Sequence, residues 1–473
     1  MSTTYILHKS VALRSWRLVP YAYFIHGSRD AIGLTREEYE LLSLCDGQHE
    51  IPDSPLLADL VQRGMAVPCE KGETLTQWQK PRTCDNRYVP AMMWLITGRC
   101  NYNCLHCFNA SDNARSQSEF SLDEAMRLIE QADKCGINAF TLSGGEPMLH
   151  PHFLEIVEEI HRRGMFVEEL NTNGAFITQE VLDRMKAAGC RPLMKISFDG
   201  IGHHDWLRDH KGAEETTLRG IRLCVENGFR VKVQTNVHRL NIHTMLPTLK
   251  LMDSLGVWET RIIRTSEGPR WKENAGDACL SINEYYDGML ELAREYRKTD
   301  CKMRVNIWNF MDISPRNKTY HPEPIRYHVG QYRDNRPVCQ GNRGMVAVTA
   351  AGELVPCPQM SGYYTAHGWH LGNVKTGDLQ SYLQEGCYMS EVCTSLGDLK
   401  EANERCAACP AFPYCAGGCR ALAIAFTEDK LGSDLAKCVF FREGYLEKME
   451  QAMEGYTSTA QQVHDILRDA FKQ

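Results

Sequence analysis

The sequence lacks any long apolar run. No stretch approaches the roughly 20 residues that a membrane-spanning helix needs, and its first residues, MSTTYILHKS, carry no apolar core of the secretory kind. A cytoplasmic protein with no membrane association is expected. Charge of one sign is also scarce. The 53 Lys and Arg against 60 Asp and Glu leave a formal net charge of −7, which gives no electrostatic case for nucleic acid. Repeats and low-complexity tracts are absent. With 43% hydrophobic and 24% charged residues the composition is that of a globular chain, which excludes a disordered tail protein.

Cysteine is what the chain has in excess, with 20 in 473 residues. Without an export signal, disulfides are not the natural use, because the cytosol keeps thiols reduced. Many thiols at tight local spacings point to metal. At about 150 residues each, the length accommodates roughly three domains.

The pattern divides into parts. In residues 1–85, Tyr21–Ile25 reads as a strand, and Thr35-Arg36-Glu37-Glu38 is a capping box that opens a short helix with Tyr39, Leu41, Leu42 and Leu44. A second helix carries Leu56, Leu57, Leu60 and Val61 and ends at Gly64, which together suggest a winged-helix-like unit. Residues 70–90 are polar, hold Pro81 and Pro90, and read as a linker. Residues 86–330 alternate strand and helix. Strands are expected at Met92–Thr97, Ala139–Leu142, Val167–Thr172, Leu193–Ser197, Val231–Thr235 and Thr260–Arg264. Helices are expected between them, the first opened by Ser121 and Glu124. Six such units argue for an α/β fold with a parallel sheet and outer helices. The order of elements alone leaves an open sheet and a curled partial barrel equally possible. Residues 331–450 are irregular and punctuated by Cys and Gly, so something other than a core must hold them. A C-terminal helix is expected over 451–473.

After the first strand comes Cys100-x3-Cys104-x2-Cys107. Three thiolates on one loop can wrap a four-iron cube and leave one iron open to a small molecule. A zinc ion would need a fourth ligand, which His106 is badly spaced to give. The second strand ends in Gly144-Gly145-Glu146-Pro147, where the glycines permit close backbone approach and Glu146 adds an acceptor. This loop and turn resemble those of the radical S-adenosylmethionine (SAM) superfamily. The resemblance implies a partial (β/α)6 barrel, one [4Fe–4S] cluster on the three cysteines and SAM against the GGEP turn. Polar groups at later strand ends, Asn173, Ser197, Asp199, Asn236 and Arg264, stand where parallel-strand folds contact ligands. By resemblance Ser197 and Asp199 meet the ribose or the methionyl carboxylate.

Farther on, Cys339-x12-Gly352-x4-Cys357 precedes Cys406-x2-Cys409-x5-Cys415-x3-Cys419 and then Cys438. This order is similar to the seven-cysteine SPASM pattern. The resemblance implies two auxiliary [4Fe–4S] clusters, making three in all. Cys339, Cys357 and Cys419 would hold the first, and Cys406, Cys409, Cys415 and Cys438 the second. The first set is one thiolate short, and Cys387 and Cys393 lie in the gap as candidates. Otherwise that iron is open to a substrate thiol or takes another ligand. Such a closure requires the stretch after Cys357 to fold back over Cys339, a return that Leu371-Gly372-Asn373-Val374 could start.

The N-terminal unit, with Leu41–Gly47 after a strand and capped helix, resembles the recognition element that holds leader peptides of ribosomally made, post-translationally modified peptides. That mode is an added strand plus helix contacts. Glu37, Glu38 and Glu40 on the first helix speak against DNA. Together the resemblances imply a maturase that oxidatively cross-links its precursor peptide, as a Cys thioether or a C–C bond. It would be started by a 5′-deoxyadenosyl radical and supplied with electrons by flavodoxin or ferredoxin. A peptide epimerase is the alternative, with Cys190, Cys224 or Cys279 as hydrogen donor. A sulfatase-type protein maturase and a plain electron carrier fit the motifs less well.

Overall fold

Six short segments, each with an apolar cluster or an apolar–polar alternation, supply the spine. Ala91–Thr97, Ala139–Gly144, Phe166–Thr172, Leu193–Ser197, Val231–Val237 and Glu259–Arg264 are strands, each within two residues of its expected bounds. The computed structural model describes residues 2–107, 117–265 and 269–471. In it these strands pair in parallel and in chain order. Parallel neighbours need a crossover, and helices serve: Leu122–Lys134, Phe153–Arg162, Gln179–Ala187, Ala213–Glu226 and Met245–Ser254. The first shows why. Ser121 caps the Glu124 amide while the Glu124 carboxylate accepts from the Ser121 amide at 2.8 Å. Its Ala125, Leu128, Ile129 and Ala132 then form one buried stripe. That stripe packs in one core with Trp94, Ile96, Phe140 and Leu142. Each such large side chain contributes about 1.5–3 kcal/mol when fully buried.

The sheet is wider than six strands. Arg304–Ile307 continues it in parallel, and Met311–Ser314 and Thr319–Pro322 follow antiparallel. At the other edge Met345–Val348 lies parallel to the first strand and carries Leu354–Val355. The order of the twelve strands is linear, and among the described residues no pairing joins its ends. These added strands run for only two to four residues, too few for periodicity to reveal them. The chain end also differs from expectation. Instead of one helix over 451–473, helix Tyr445–Ala452 stops, strand Thr457–Ser458 pairs with Thr319–Tyr320, and helix Gln461–Ala470 follows.

The N-terminal unit has two small sheets. Ser2–Leu7 lies between Asp46–Pro52 and Ala66–Pro68. Val11–Trp16 lies between Val19–Ile25 and Arg82–Cys84. Helix Arg36–Ser43 starts at the Thr35–Glu38 box, and helix Pro55–Gln62 starts at Ser54. The reading of 70–90 as a linker is corrected: Arg82–Cys84 is sheet, and Arg82 makes an ion pair with Asp133. Two tryptophans fix the unit to the large sheet's helices and loops. Trp16 donates Nε1 to the Cys135 carbonyl at 2.9 Å. A Cβ on Gly136 would lie 2.7 Å from its ring, and one on Gly164 would lie 2.5 Å from Trp78. Both glycines end helices just before strands begin. Asn138 Nδ2 donates to the Ser28 carbonyl, and Arg29 pairs with Glu168, at the same end. The unit therefore sits at the amino ends of the strands.

Candidate active site

The carboxyl ends, on the opposite side, hold the Cys100–Cys107 loop. Two strand exits are locked together at its base. Gly145 donates to the Thr97 carbonyl at 2.7 Å and Glu146 to the Arg99 carbonyl at 2.8 Å. A Cβ on Gly145 would lie 2.6 Å from the Gly98 carbonyl oxygen and closer still to that of Arg99. The glycines thus admit the cysteine loop's own backbone. Pro147 opens a single 3-10 turn after them.

Glu146 is fully buried, and its carboxylate accepts from the Thr172 hydroxyl at 2.8 Å, the Asn173 amide at 2.8 Å and the Met148 amide at 3.2 Å. Burial pushes its pKa up to about 7 against these stabilising bonds. Beside its expected role as acceptor for a ligand ammonium, Glu146 ties the second strand's exit to the third. Asn173 then carries its Nδ2 to Asn101 Oδ1 at 2.8 Å and to within 3.9 Å of Cys100 Sγ.

Asp199 is likewise put to a structural use. It is completely buried and accepts from Arg208 at 2.6 and 3.1 Å and from the Asn236 amide at 2.9 Å. Its own amide donates to His204 Nδ1 at 3.0 Å. His204 Nε2 faces Thr217 Oγ1 at 3.2 Å, and that hydroxyl donates to the Asn173 carbonyl. Burial lowers the pKa of His204 against the opposing pull of Asp199, whose Oδ2 stands 3.0 Å from Nδ1. Arg208 and its neighbours hold Asp199 ionised, well below the usual carboxylate range. Ser197, half-buried, ends the fourth strand, and Asn236 lies on the fifth. Arg264 donates to the Leu280 carbonyl at 2.8 Å and stands over the Phe426 ring.

The sulfurs of the loop sit among N–H donors. The Tyr102 amide reaches Cys100 Sγ at 3.5 Å, and Arg208 Nη1 reaches Cys104 Sγ at 3.7 Å. Arg270 braces the loop through the Cys104 carbonyl at 2.8 Å. His106 Nδ1 is buried without a hydrogen-bond partner, and burial pushes that imidazole down to about 3. Donors aimed at sulfur and an orphaned ring nitrogen fit a thiolate-bound cluster with a ligand beside it. Among the described residues no three Cys, His, Asp or Glu side chains converge tightly enough for a single metal ion. A four-iron cube spreads its thiolates wider than zinc does.

The C-terminal cysteines fall into two groups in space. Cys406, Cys409, Cys415 and Cys438 line one cavity with Asp434, Lys437 and Phe441. Cys357, Cys419 and Cys339 are electrostatic neighbours: burial first, then the other two sulfurs, push Cys357 up to about 12. Asp434 joins the groups. It accepts from the Cys419 amide at 2.9 Å and caps Leu435–Arg442, the helix that bears Cys438. Cys339 and Cys357 flank the edge strands Met345–Val348 and Leu354–Val355. The expected return is present. Val374 donates to the Gly352 carbonyl, and Val338 donates to the Thr394 carbonyl, beside Cys339. Cys393 therefore lies next to the pairing; its sulfur faces Arg87 Nη1 at 3.8 Å, while Cys387 is exposed. Sequence reasoning missed Arg208, Arg270 and His204, although His204 and Arg208 stand five and nine residues after Asp199.

Residues 94–252 match the model of the radical SAM superfamily, so this stretch is a radical SAM domain. The family implies SAM and a [4Fe–4S] cluster. The chain is 28% identical over 343 residues to the AdoMet-dependent heme synthase of Methanosarcina barkeri, covering 72% of this chain and 93% of that protein. It is 24% identical to the PqqA peptide cyclase of Granulibacter bethesdensis, over 71% of this chain and 83% of that one. Its fold is shared with Streptococcus suis SuiB bound to precursor peptide SuiA, at a TM-score of 0.61 and 11% identity, covering 93% and 100% of the two chains. Among the described residues no helix is long and apolar enough to cross a membrane.

Proposed function

We propose that this chain is a radical SAM enzyme that modifies a ribosomally made precursor peptide by an oxidative intramolecular cross-link, a Cys thioether or a C–C bond. The carrying observation is the grouping of seven distant cysteines into a set of four around one cavity and a set of three close to one another. This gives an electron somewhere to go after hydrogen is removed from substrate. In this reading Cys100, Cys104 and Cys107 hold the first [4Fe–4S] cluster. Cys339, Cys357 and Cys419 hold the second, with Cys393 or Cys387 closing it, and Cys406, Cys409, Cys415 and Cys438 hold the third. Gly144, Gly145, Glu146, Pro147, Asn173, Ser197, Asp199, Asn236 and Arg264 frame the SAM site. When bound, SAM and its cluster supply hydrogen abstraction from an unactivated carbon. The chain's own task is to hold the loop, orient the substrate and exclude water. Glu146 and Asp199 do the first by joining strand exits.

The N-terminal unit and the resemblance to a SuiB–SuiA complex support a peptide with a leader sequence as substrate. A flavodoxin or ferredoxin is the proposed electron donor. The epimerase alternative is weakened at two of its three thiols, since Cys190 and Cys224 are fully buried in the barrel core. A second reading, a tetrapyrrole substrate, is favoured by the 28% identity to a heme synthase over nearly all of that protein. One experiment separates them: the enzyme is given its neighbouring precursor peptide, or an iron porphyrin, with SAM and reductant, and products are weighed. A cross-link removes two hydrogens, about 2 Da, from the peptide. An unchanged mass with altered stereochemistry selects the epimerase, and turnover of the porphyrin alone overturns the peptide reading. Removing residues 1–75 is expected to weaken precursor binding more than SAM cleavage. Unchanged binding would reject the recognition role.

A further inference from the structure

The strand-end network leaves one arm of a guanidinium to explain. Arg208 gives Nε and Nη2 to Asp199 and turns Nη1 to Cys104 Sγ at 3.7 Å. Asp199 and His204 are fully buried and Arg208 is 6% exposed. A buried ion pair is weak evidence for stability, because desolvation offsets the attraction. This one has a geometric product. Asp199 is also fixed by the Asn236 amide and by its own amide bond to His204, so it cannot follow a moving guanidinium.

The backbone repeats the grip. Asn103 Nδ2 donates to Asp209 Oδ2 at 2.9 Å, and the Leu105 amide donates to the Leu207 carbonyl at 3.0 Å. Residues 103, 104 and 105 therefore meet 209, 208 and 207 in turn, as two antiparallel runs. The helix His204–Arg208 clasps the loop on both sides of Cys104.

We propose that Arg208 is a positioning residue that sets the reduction potential of the centre held by Cys100, Cys104 and Cys107. Its Nη1–H donates to the Cys104 sulfur, and its charge favours the reduced, more negative state. Hydrogen bonds to sulfur and nearby charge are the levers a protein has over such potentials. Asp199 holds the opposite charge, but on the side of the guanidinium away from sulfur, so it weakens the effect without cancelling it. The inference rests on the reading of these cysteines as cluster ligands.

The test uses the full, iron-reconstituted chain without SAM, in redox titrations followed by electron paramagnetic resonance. The loop's cluster is recognised as the signal that SAM perturbs. Arg208→Gln is expected to lower its reduced-to-oxidised ratio at fixed potential about tenfold, equivalent to about 59 mV for one electron. Arg208→Lys should fall between, and the other clusters should stay put. Because Arg208→Gln orphans a buried carboxylate, the double variant Asp199→Asn with Arg208→Gln is the check on folding, and it should show the same direction. A potential unchanged in both variants overturns the proposal. So does an equal shift of every cluster, or a loss of SAM affinity alone, which would make Arg208 a SAM contact. If Cys100→Ala, Cys104→Ala and Cys107→Ala together remove no iron, the cluster reading itself fails, a separate outcome.

Discussion

Gly145→Ala tests whether the GGEP turn serves the cysteine loop. The new methyl would stand 2.6 Å from the Gly98 carbonyl oxygen and nearer to that of Arg99, both backbone atoms with no rotamer to yield. Relief requires the two strand exits to part. That forfeits the Gly145–Thr97 and Glu146–Arg99 hydrogen bonds of 2.7 and 2.8 Å, each a net contribution of about 1 kcal/mol. Overpacking costs about 1–3 kcal/mol more, so the penalty is about 3–5 kcal/mol, laid on the residues that start the loop. The variant should fold, because the core between sheet and helices is untouched. It should lose the loop's share of iron, about 4 of 12 in a three-cluster chain, and with it SAM cleavage. Iron analysis, visible spectra and 5′-deoxyadenosine release check this. Gly33→Ala, with no atom within 4 Å of the new Cβ, is the neutral control. Full iron and full SAM cleavage in Gly145→Ala would refute the reasoning.

Trp16→Ala removes a ring that is 1% exposed and meets Phe24, Tyr88 and Gly136. It should cost about 3–5 kcal/mol and speed tryptic cleavage between the N-terminal unit and the parallel sheet. Glu146, lifted to about 7 by burial, keeps its proton in the folded state where the unfolded chain has lost it. Stability should therefore fall as pH rises from about 4.5 to about 7, and Glu146→Gln should flatten that slope in urea midpoints. Cys393→Ala should perturb the spectrum of the cluster at Cys339, Cys357 and Cys419, while Cys387→Ala should not. If neither does, closure by these thiols is wrong, and an iron open to a substrate thiolate gains support.

The β/α alternation was legible because its signals are local. Each of the six strands carries an apolar cluster or an apolar–polar alternation with a turn behind it, and each capping box is four residues long. The cysteine spacings were legible for the same reason, since a loop that wraps a cluster writes its ligands within a few residues. The extra strands escaped because they run for only two to four residues, too few for alternation to stand out even where it is present, as in Arg304–Ile307; they exist by pairing with an edge already formed. Arg82–Cys84 hid in a polar stretch until Arg14–Trp16 gave it a partner.

By itself, then, the sequence determined the α/β class, the three-cysteine loop and the order of the later cysteines. Tertiary structure decided what the polar strand ends do. Burial gives Glu146 and Asp199, both read as ligand contacts, partners from their own chain as well, because a desolvated carboxylate needs donors wherever the fold can bring them. It also decided which cysteines share a cavity, since Cys406 and Cys438 meet only after two helices and a turn have folded. And it placed the N-terminal unit at the amino ends of the strands, away from the cysteine loop. No local pattern encodes that choice. Trp16 and Trp78 need flat, side-chain-free surface, and Gly136 and Gly164 provide it at that end.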